Sequence, residues 1–309
     1  MTGCVDFVAF GVIIDDIVYP DGETKMGVLG GGGPQTAFGM RLWTKNVGLV
    51  AGVGGDLSSM VKSRLRSSDI DATGLRISKH RTPRAWQLLE YNERRTQVWR
   101  VPERVIALQL GKSLGYLPED YRNARGFHFG IHPDEPNYAF LEVLHELGAV
   151  VSIEPFKPAD RKPASGTLRK LLSQIDIFST NVLEAESLVD GKNPCELCLR
   201  LMDAGAGLVV IRLGSAGSLI SDRRTGCMIQ VPPVPVDVIN PIGAGNAYCG
   251  GFLVGWVESQ DLATAGVYGS VAASFLVEDT GVPECNEQIQ RESQRRADAL
   301  AQQVVFVQS

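Results

Sequence analysis

VPVDVINPIGAGNAYCGGF, residues 234–252, passes from a strand-like run through a proline break into a helix. The valines and isoleucine of 234–239 read as a strand, Asn240-Pro241 as the break, and the residues after Gly245 as the helix. Gly243-Ala244-Gly245 stands at the junction. Small residues there leave successive backbone N–H groups open at a helix N-terminus. Those donors and the helix dipole attract an anion, and at the ends of strands such a nest suits a phosphoryl group in transfer.

Working outward, short Val/Ile-rich runs alternate with helical patterns. VDFVAFGVII (5–14), VGLVAGVG (47–54), GFHFG (126–130), AVVSIEP (149–155), IDIFSTN (175–181) and LVVIRLG (208–214) read as strands. Residues 36–43, 57–68, 139–147, 165–172 and 195–204 read as helices, with a small-residue-rich helical region at 247–271 and a polar surface helix at 287–303. This alternation predicts an α/β fold with a mostly parallel sheet covered on both faces.

One segment breaks the rhythm. TPRAWQLLEYNERRTQVWRV (82–101) alternates polar and apolar residues about Asn92-Glu93-Arg94 and reads as a β-hairpin. Paired with residues 13–28 it forms a small lid over the strand ends, so 1–309 is expected to be a single domain with a lid. Trp86 and Trp99 are large for a solvent face. They either join lids in a homodimer or pack on their own body, and the sequence leaves both open.

Composition sets the bounds. Hydrophobic residues make up 44% and charged residues 21% of the 309, enough to build a core. Lys plus Arg is 30 against 35 Asp plus Glu, a net charge of −5, so nothing neutralises a phosphate backbone and nucleic acid is excluded as the main partner. The N-terminal run has no basic flank and is interrupted by Asp6, and no stretch reaches the ~18 apolar residues of a membrane span, so a cytoplasmic protein without membrane contact is expected. The six scattered cysteines fit reduced thiols, and Cys195-x-x-Cys198 lacks the second pair a zinc site needs. Two further glycine sites fail their patterns. Gly111-Lys112-Ser113 has Ile106 where a P-loop needs glycine, and Gly52-Val53-Gly54 has Leu57 where a dinucleotide loop does.

In this order the motifs resemble the ribokinase-like (PfkB) carbohydrate kinase family. Gly31-Gly32 with Thr36 resembles its N-terminal glycine pair and sugar-contacting Asn, and Gly52 to Asp56 its next strand-end motif. Thr82 and Glu93-Arg94-Arg95 resemble the lid hairpin, and Asn181-Val182-Leu183-Glu184 its N-x-x-E motif. Gly214 to Gly217 resembles a nucleotide-side loop, and Gly243 to Asn246 stands in place of its G-A-G-D signature. The resemblance implies a three-layer α/β/α sandwich with a β lid, ATP and Mg²⁺, and a sugar or nucleoside whose hydroxyl is phosphorylated. It implies substrate contacts from Asp15, Asp16, Gly31, Gly32, Thr36 and Glu154. Nucleotide contacts would come from Asn181, Arg212, Gly214 and Gly217, a metal contact from Glu184, and the anion hole from Gly243, Ala244 and Gly245.

The pattern departs at chemical positions. Asn246 stands where the family has its base, and an amide does not deprotonate an alcohol at neutral pH. Asn240-Pro241 replaces Asp-Thr, Thr36 replaces Asn, and Arg212 replaces a small hydroxyl residue. Three readings therefore stand: an ATP-dependent sugar or nucleoside kinase with weakened or relocated base catalysis; a catalytically inactive nucleotide- or sugar-binding protein; and an enzyme that uses the nest for another reaction, with His128 and His132 as candidate acid–base groups.

Overall fold

The computed structural model describes residues 4–91 and 95–307, so the hairpin tip read at Asn92-Glu93-Arg94 lies outside the described residues. The strands are β1 (Phe7–Phe10), β2 (Ile13–Val18), β3 (Thr24–Gly30), β4 (Val47–Gly54), β5 (Leu75–Ser78), β6 (Arg84–Leu89), β7 (Arg95–Trp99), β8 (Gly126–Ile131), β9 (Val150–Pro155), β10 (Ile177–Asn181), β11 (Leu208–Arg212), β12 (Ser218–Asp222), β13 (Cys227–Val231) and β14 (Val305–Phe306). The helices are α1 (Gly32–Arg41), α2 (Ser59–Ser67), α3 (Glu103–Leu110), α4 (Tyr138–Glu146), α5 (Ser165–Leu172), α6 (Val182–Leu188), α7 (Pro194–Asp203), α8 (Ala244–Ser259), α9 (Leu262–Val277) and α10 (Glu287–Ala301).

Ten strands form one sheet in the order β14-β13-β12-β11-β10-β9-β8-β1-β4-β5. Every pairing from β5 across to β11 is parallel, and the β12–β14 edge is antiparallel. Strand alternation divides the apolar side chains between two cores. Phe7 and Ala9 pack with Phe38, Phe252 and Phe275 under α1, α8 and α9, whereas Val8 and Phe10 pack with Phe140, Leu172 and Leu201 under α4, α5 and α7. The result is the expected sandwich of helices on both faces of a mostly parallel sheet.

Two sequence expectations change. VDFVAFGVII is not one strand: Gly11, at φ +90°, breaks it, so β1 enters the main sheet and β2 leaves for the lid. Residues 234–239 join no sheet. Pro235 removes an N–H donor from that run, Pro232 and Pro233 remove two more just before it, and Val238 and Ile239 lie exposed.

The lid is a four-stranded sheet in the order β3-β2-β6-β7. Its outer pairings are antiparallel, but β2 and β6 run parallel, which the hairpin pattern did not show. Asp16, Trp86 and Val98 fall in one cross-strand row, while Asp15, Ala85 and Trp99 fall in the next. Asp15 and Asp16 therefore point to opposite faces, and so do the two tryptophans.

Close helix packing sets the site. A Cβ on Gly39 would stand 2.1 Å from the Ala247 carbonyl oxygen, and one on Gly250 would stand 2.0 Å from that of Thr36. At these two glycines α1 and α8 meet backbone to backbone, which brings their N-termini together near the C-terminal end of β1. There the Gly33 amide donates to Gly11 O at 2.9 Å.

Candidate active site

At the start of α8, Gly243 adopts φ +89°, a conformation open to glycine, and a Cβ there would also collide with the Gln35 side chain at 2.3 Å. The first full helical bond runs from the Ala247 amide to Gly243 O at 3.0 Å. The Ala244 amide turns back loosely to Pro241 O at 3.4 Å. The amides of Gly245 and Asn246 find no acceptor among the described residues. The Gly243 amide finds none either, so three donors remain open at the nest, at 243, 245 and 246 where the sequence placed them at 243–245. Asn240 Oδ1 accepts the Ile242 amide at 3.0 Å and shapes the turn leading in.

The residue facing Asn246 is Gln35, which the sequence reading passed over in favour of Thr36. Asn246 Nδ2 donates to Gln35 Oε1 at 2.5 Å. The Thr36 hydroxyl instead donates to the Asn246 carbonyl at 3.1 Å, a brace between helices. Both neighbours therefore meet the first turn of α8, Gln35 at the Asn246 side chain and Thr36 at its main chain.

Behind the nest lies a buried ionic cluster drawn from four elements. Arg212, at the end of β11, donates through Nη1 to Glu154 Oε2 at 2.6 Å, to Ser179 Oγ at 3.1 Å and to Cys249 Sγ at 2.9 Å. His128 on β8 joins Ser152 Oγ through Nδ1 at 2.9 Å and Glu154 Oε1 through Nε2 at 3.4 Å. Burial alone would raise the Glu154 pKa, but Arg212 and then His128 outweigh it and hold the carboxyl at about 2. Burial would likewise lower that of His128, yet Cys249 and Glu154 push it up to about 9. Glu154, assigned to the substrate in the sequence analysis, thus has one oxygen on Arg212 and the other on His128. Both ring nitrogens of the buried His128 are thus engaged within the cluster. His132 stands apart, 3.7 Å from Asp134.

Asn181 and Glu184 form a capping box on α6. Asn181 Oδ1 accepts the Glu184 amide, and Glu184 Oε2 accepts the Asn181 amide, each at 2.9 Å. Thr180 Oγ1 adds 3.2 Å to the same oxygen, leaving Glu184 Oε1 without a hydrogen bond from the described residues. Burial raises the Glu184 pKa, with Arg212 and the Asn181 amide opposing. Gly214 (φ +59°) and Gly217 (φ +86°) close a tight turn in which the Leu213 amide donates to Gly217 O at 2.7 Å. A Cβ at 217 would lie 2.2 Å from Val231 O.

On the lid, Asp15 packs against the entry to α1. A Cβ on Gly30 would stand 1.9 Å from Asp15 Oδ2, and Gln87 Nε2 donates to Oδ1 at 2.7 Å. Burial lifts the Asp15 pKa to about 6, with the Gln87 hydrogen bond, Arg95 and the Gly31 amide pulling the other way. Gly31 itself, at φ +85°, caps α1, and Gly32 borders Asn246. Asp16 is spent on structure. Arg84 reaches it at 2.6 and 2.7 Å, Arg100 also pairs with it, and the Gly27 amide donates at 2.9 Å. Burial would raise its pKa, but these partners together hold it below the ordinary carboxylate range. Asp16, assigned to the substrate in the sequence analysis, thus has both carboxylate oxygens engaged within the lid, on the face opposite Asp15.

The profile of pfkB family carbohydrate kinases matches residues 8–289. The chain belongs to that family. This pfkB kinase is 29% identical over 259 residues to a cytidine kinase of Thermococcus kodakarensis, covering 84% of this chain and 91% of that one. It is 28% identical over 302 residues to a nucleoside kinase of Methanothermobacter thermautotrophicus, covering 93% and 94%. A structure of Arabidopsis thaliana ribokinase complexed with ribose and ATP superposes with a TM-score of 0.72, 18% identity, and coverage of 96% and 99%. The pfkB kinase is thus an enzyme of the sugar and nucleoside kinase class with a ribokinase fold. Among the described residues no helix is long and apolar enough to cross a membrane.

Proposed function

We propose that this pfkB kinase transfers the γ-phosphate of ATP to a hydroxyl of a nucleoside. The observation carrying the proposal is the pair of open amides at Gly245 and Asn246, with the Arg212 guanidinium against Gly245. Together they offer donors and positive charge to phosphate oxygens at the ends of β10 and β11. The nucleoside assignment draws support from the relatives, which are named as cytidine and nucleoside kinases.

Asp15 is the lid carboxylate left to meet a substrate hydroxyl, since Asp16 is fully paired. Asn246 and Gln35 hydrogen-bond the acceptor without removing its proton. Mg²⁺ fits the unengaged Glu184 Oε1, because that ion keeps several waters and needs one or two carboxylates besides the phosphates. Bound there it would neutralise phosphate charge. Phosphoryl transfer through a loose transition state depends on positioning and electrostatics more than on a base, so the reaction is slowed without being abolished.

The test is ADP release from Mg-ATP with a panel of nucleosides and sugars. The proposal expects release that depends on a nucleoside. Release with hexoses alone would move the substrate to the sugars, and ATP binding without release in any mixture would favour a binding protein.

A further inference from the structure

The Arg212 guanidinium is anchored by one nitrogen. Nη1 makes all three of its hydrogen bonds, Nη2 stands 3.6 Å from Glu184 Oε2, and Nε has no partner among the described residues. A Cβ on Gly245 would lie 3.2 Å from Cζ and 3.3 Å from Nε, so this edge borders the residue whose amide is open. The side chain keeps 13% of its surface exposed. Glu154, which His128 also holds, anchors the Nη1 side and Glu184 lies against Nη2, so the guanidinium is fixed in place with Nε turned to the nest.

We infer that Arg212 is a catalytic residue whose Nε–Nη2 edge binds the phosphoryl group in transfer, with His128, Glu154 and Cys249 as its positioning residues. The inference rests on the kinase reading above and adds the group that stabilises the transition state where Asn246 provides no base. The bond from γ-phosphorus to the ADP oxygen breaks, with its electron pair staying on ADP. The acceptor oxygen bonds to phosphorus, and its proton passes to a phosphoryl oxygen and then to water. An arginine supplied to such a transition state is typically worth about 10³–10⁵ in rate, and a planar fork matches phosphate oxygens as a lysine point charge does not. The alternative use of the cluster, a metal held by His128, Glu154 and Cys249, competes with a guanidinium already bonded to two of the three.

Arg212→Lys keeps the charge beside Glu154 and loses the free edge. The experiment titrates native and variant protein with inorganic tripolyphosphate, ADP, and ADP plus fluoroaluminate, following intrinsic fluorescence and melting temperature. The expected result is a variant that still melts cooperatively without ligand, with ADP affinity within about threefold of native and at least tenfold weaker binding of tripolyphosphate and of the fluoroaluminate complex. Equal binding of all three ligands by both proteins overturns the inference. If Arg212→Lys does not fold, the Glu154→Gln/Arg212→Gln double variant, which leaves no unpaired charge at that contact, decides on the same criterion. Arg212-dependent tripolyphosphate binding without nucleoside phosphorylation would sink the kinase reading and leave the phosphate role of Arg212 standing. No phosphate binding by the native chain sinks both.

Discussion

Asn246 Nδ2 and Gln35 Oε1 lie 2.5 Å apart, joining the first turns of α8 and α1 across the mouth of the site. Neither amide takes a proton from an alcohol at neutral pH. In the proposed reaction the pair would fix where an acceptor oxygen sits. Gln35→Ala leaves the half-buried Asn246 amide without its partner and should lower stability by about 1 kcal/mol. Urea unfolding checks this, and an unchanged midpoint would show the bond to be dispensable.

Gly30 is required by the Asp15 carboxylate rather than by its own backbone. A methyl group there would overlap Asp15 Oδ2 at 1.9 Å and Cγ at 2.7 Å. Gly30→Ala should displace Asp15, cost about 1–3 kcal/mol in overpacking, and raise the KM for the acceptor more than that for ATP. Steady-state kinetics with each substrate varied in turn separates these effects.

Asp15 makes the fold less stable as pH rises. Its folded pKa, lifted to about 6 by burial, exceeds the ordinary 3.8, so between those values the native state holds more protons than the unfolded chain. Stability should fall across that window and stay lower above it. Asp15→Asn cannot ionise and keeps an oxygen for Gln87. It should match the native protein near pH 4 and exceed it by about 2–3 kcal/mol above pH 7, as read from melting curves across pH.

The His128–Glu154 pair titrates in the opposite sense at both ends. His128, raised to about 9, contributes stability that is complete below about pH 6.5 and lost as pH rises through 9. Glu154, lowered to about 2, contributes stability present above about pH 4.5 and lost as pH falls through 2. His128→Gln should therefore be less stable than native at pH 6, with the gap closing toward pH 10. A gap constant across that range would mean that His128 is neutral in the fold.

The sandwich was legible because its signals are local. Val/Ile runs mark strands buried on both faces, and the small residues at 243–245 mark a helix start with open amides. What escaped depends on geometry that spacing does not carry. The split at Gly11 needed knowledge that β2 serves another sheet. Asp15 and Asp16 looked equivalent until strand alternation sent them to opposite faces of the lid. Gln35 escaped because it and Thr36 both meet α8, and spacing does not say which of them reaches the Asn246 side chain. The Arg212 cluster draws on β8, β9, β11 and α8, and no sequence interval connects His128, Glu154, Arg212 and Cys249 before the sheet order is known.

The central claim is that phosphate is held by the Gly245 and Asn246 amides in a kinase lacking a base at 246. Asn246→Asp restores a carboxylate within reach of Gln35, whose amide can turn to donate from Nε2. The decisive measurement is single-turnover phosphoryl transfer from Mg-ATP to a nucleoside by the native chain and Asn246→Asp. We expect slow transfer by the native chain and a rate about 10²-fold higher in the variant, with ATP affinity little changed. A variant no faster than the native chain, at equal ATP occupancy, would contradict the account.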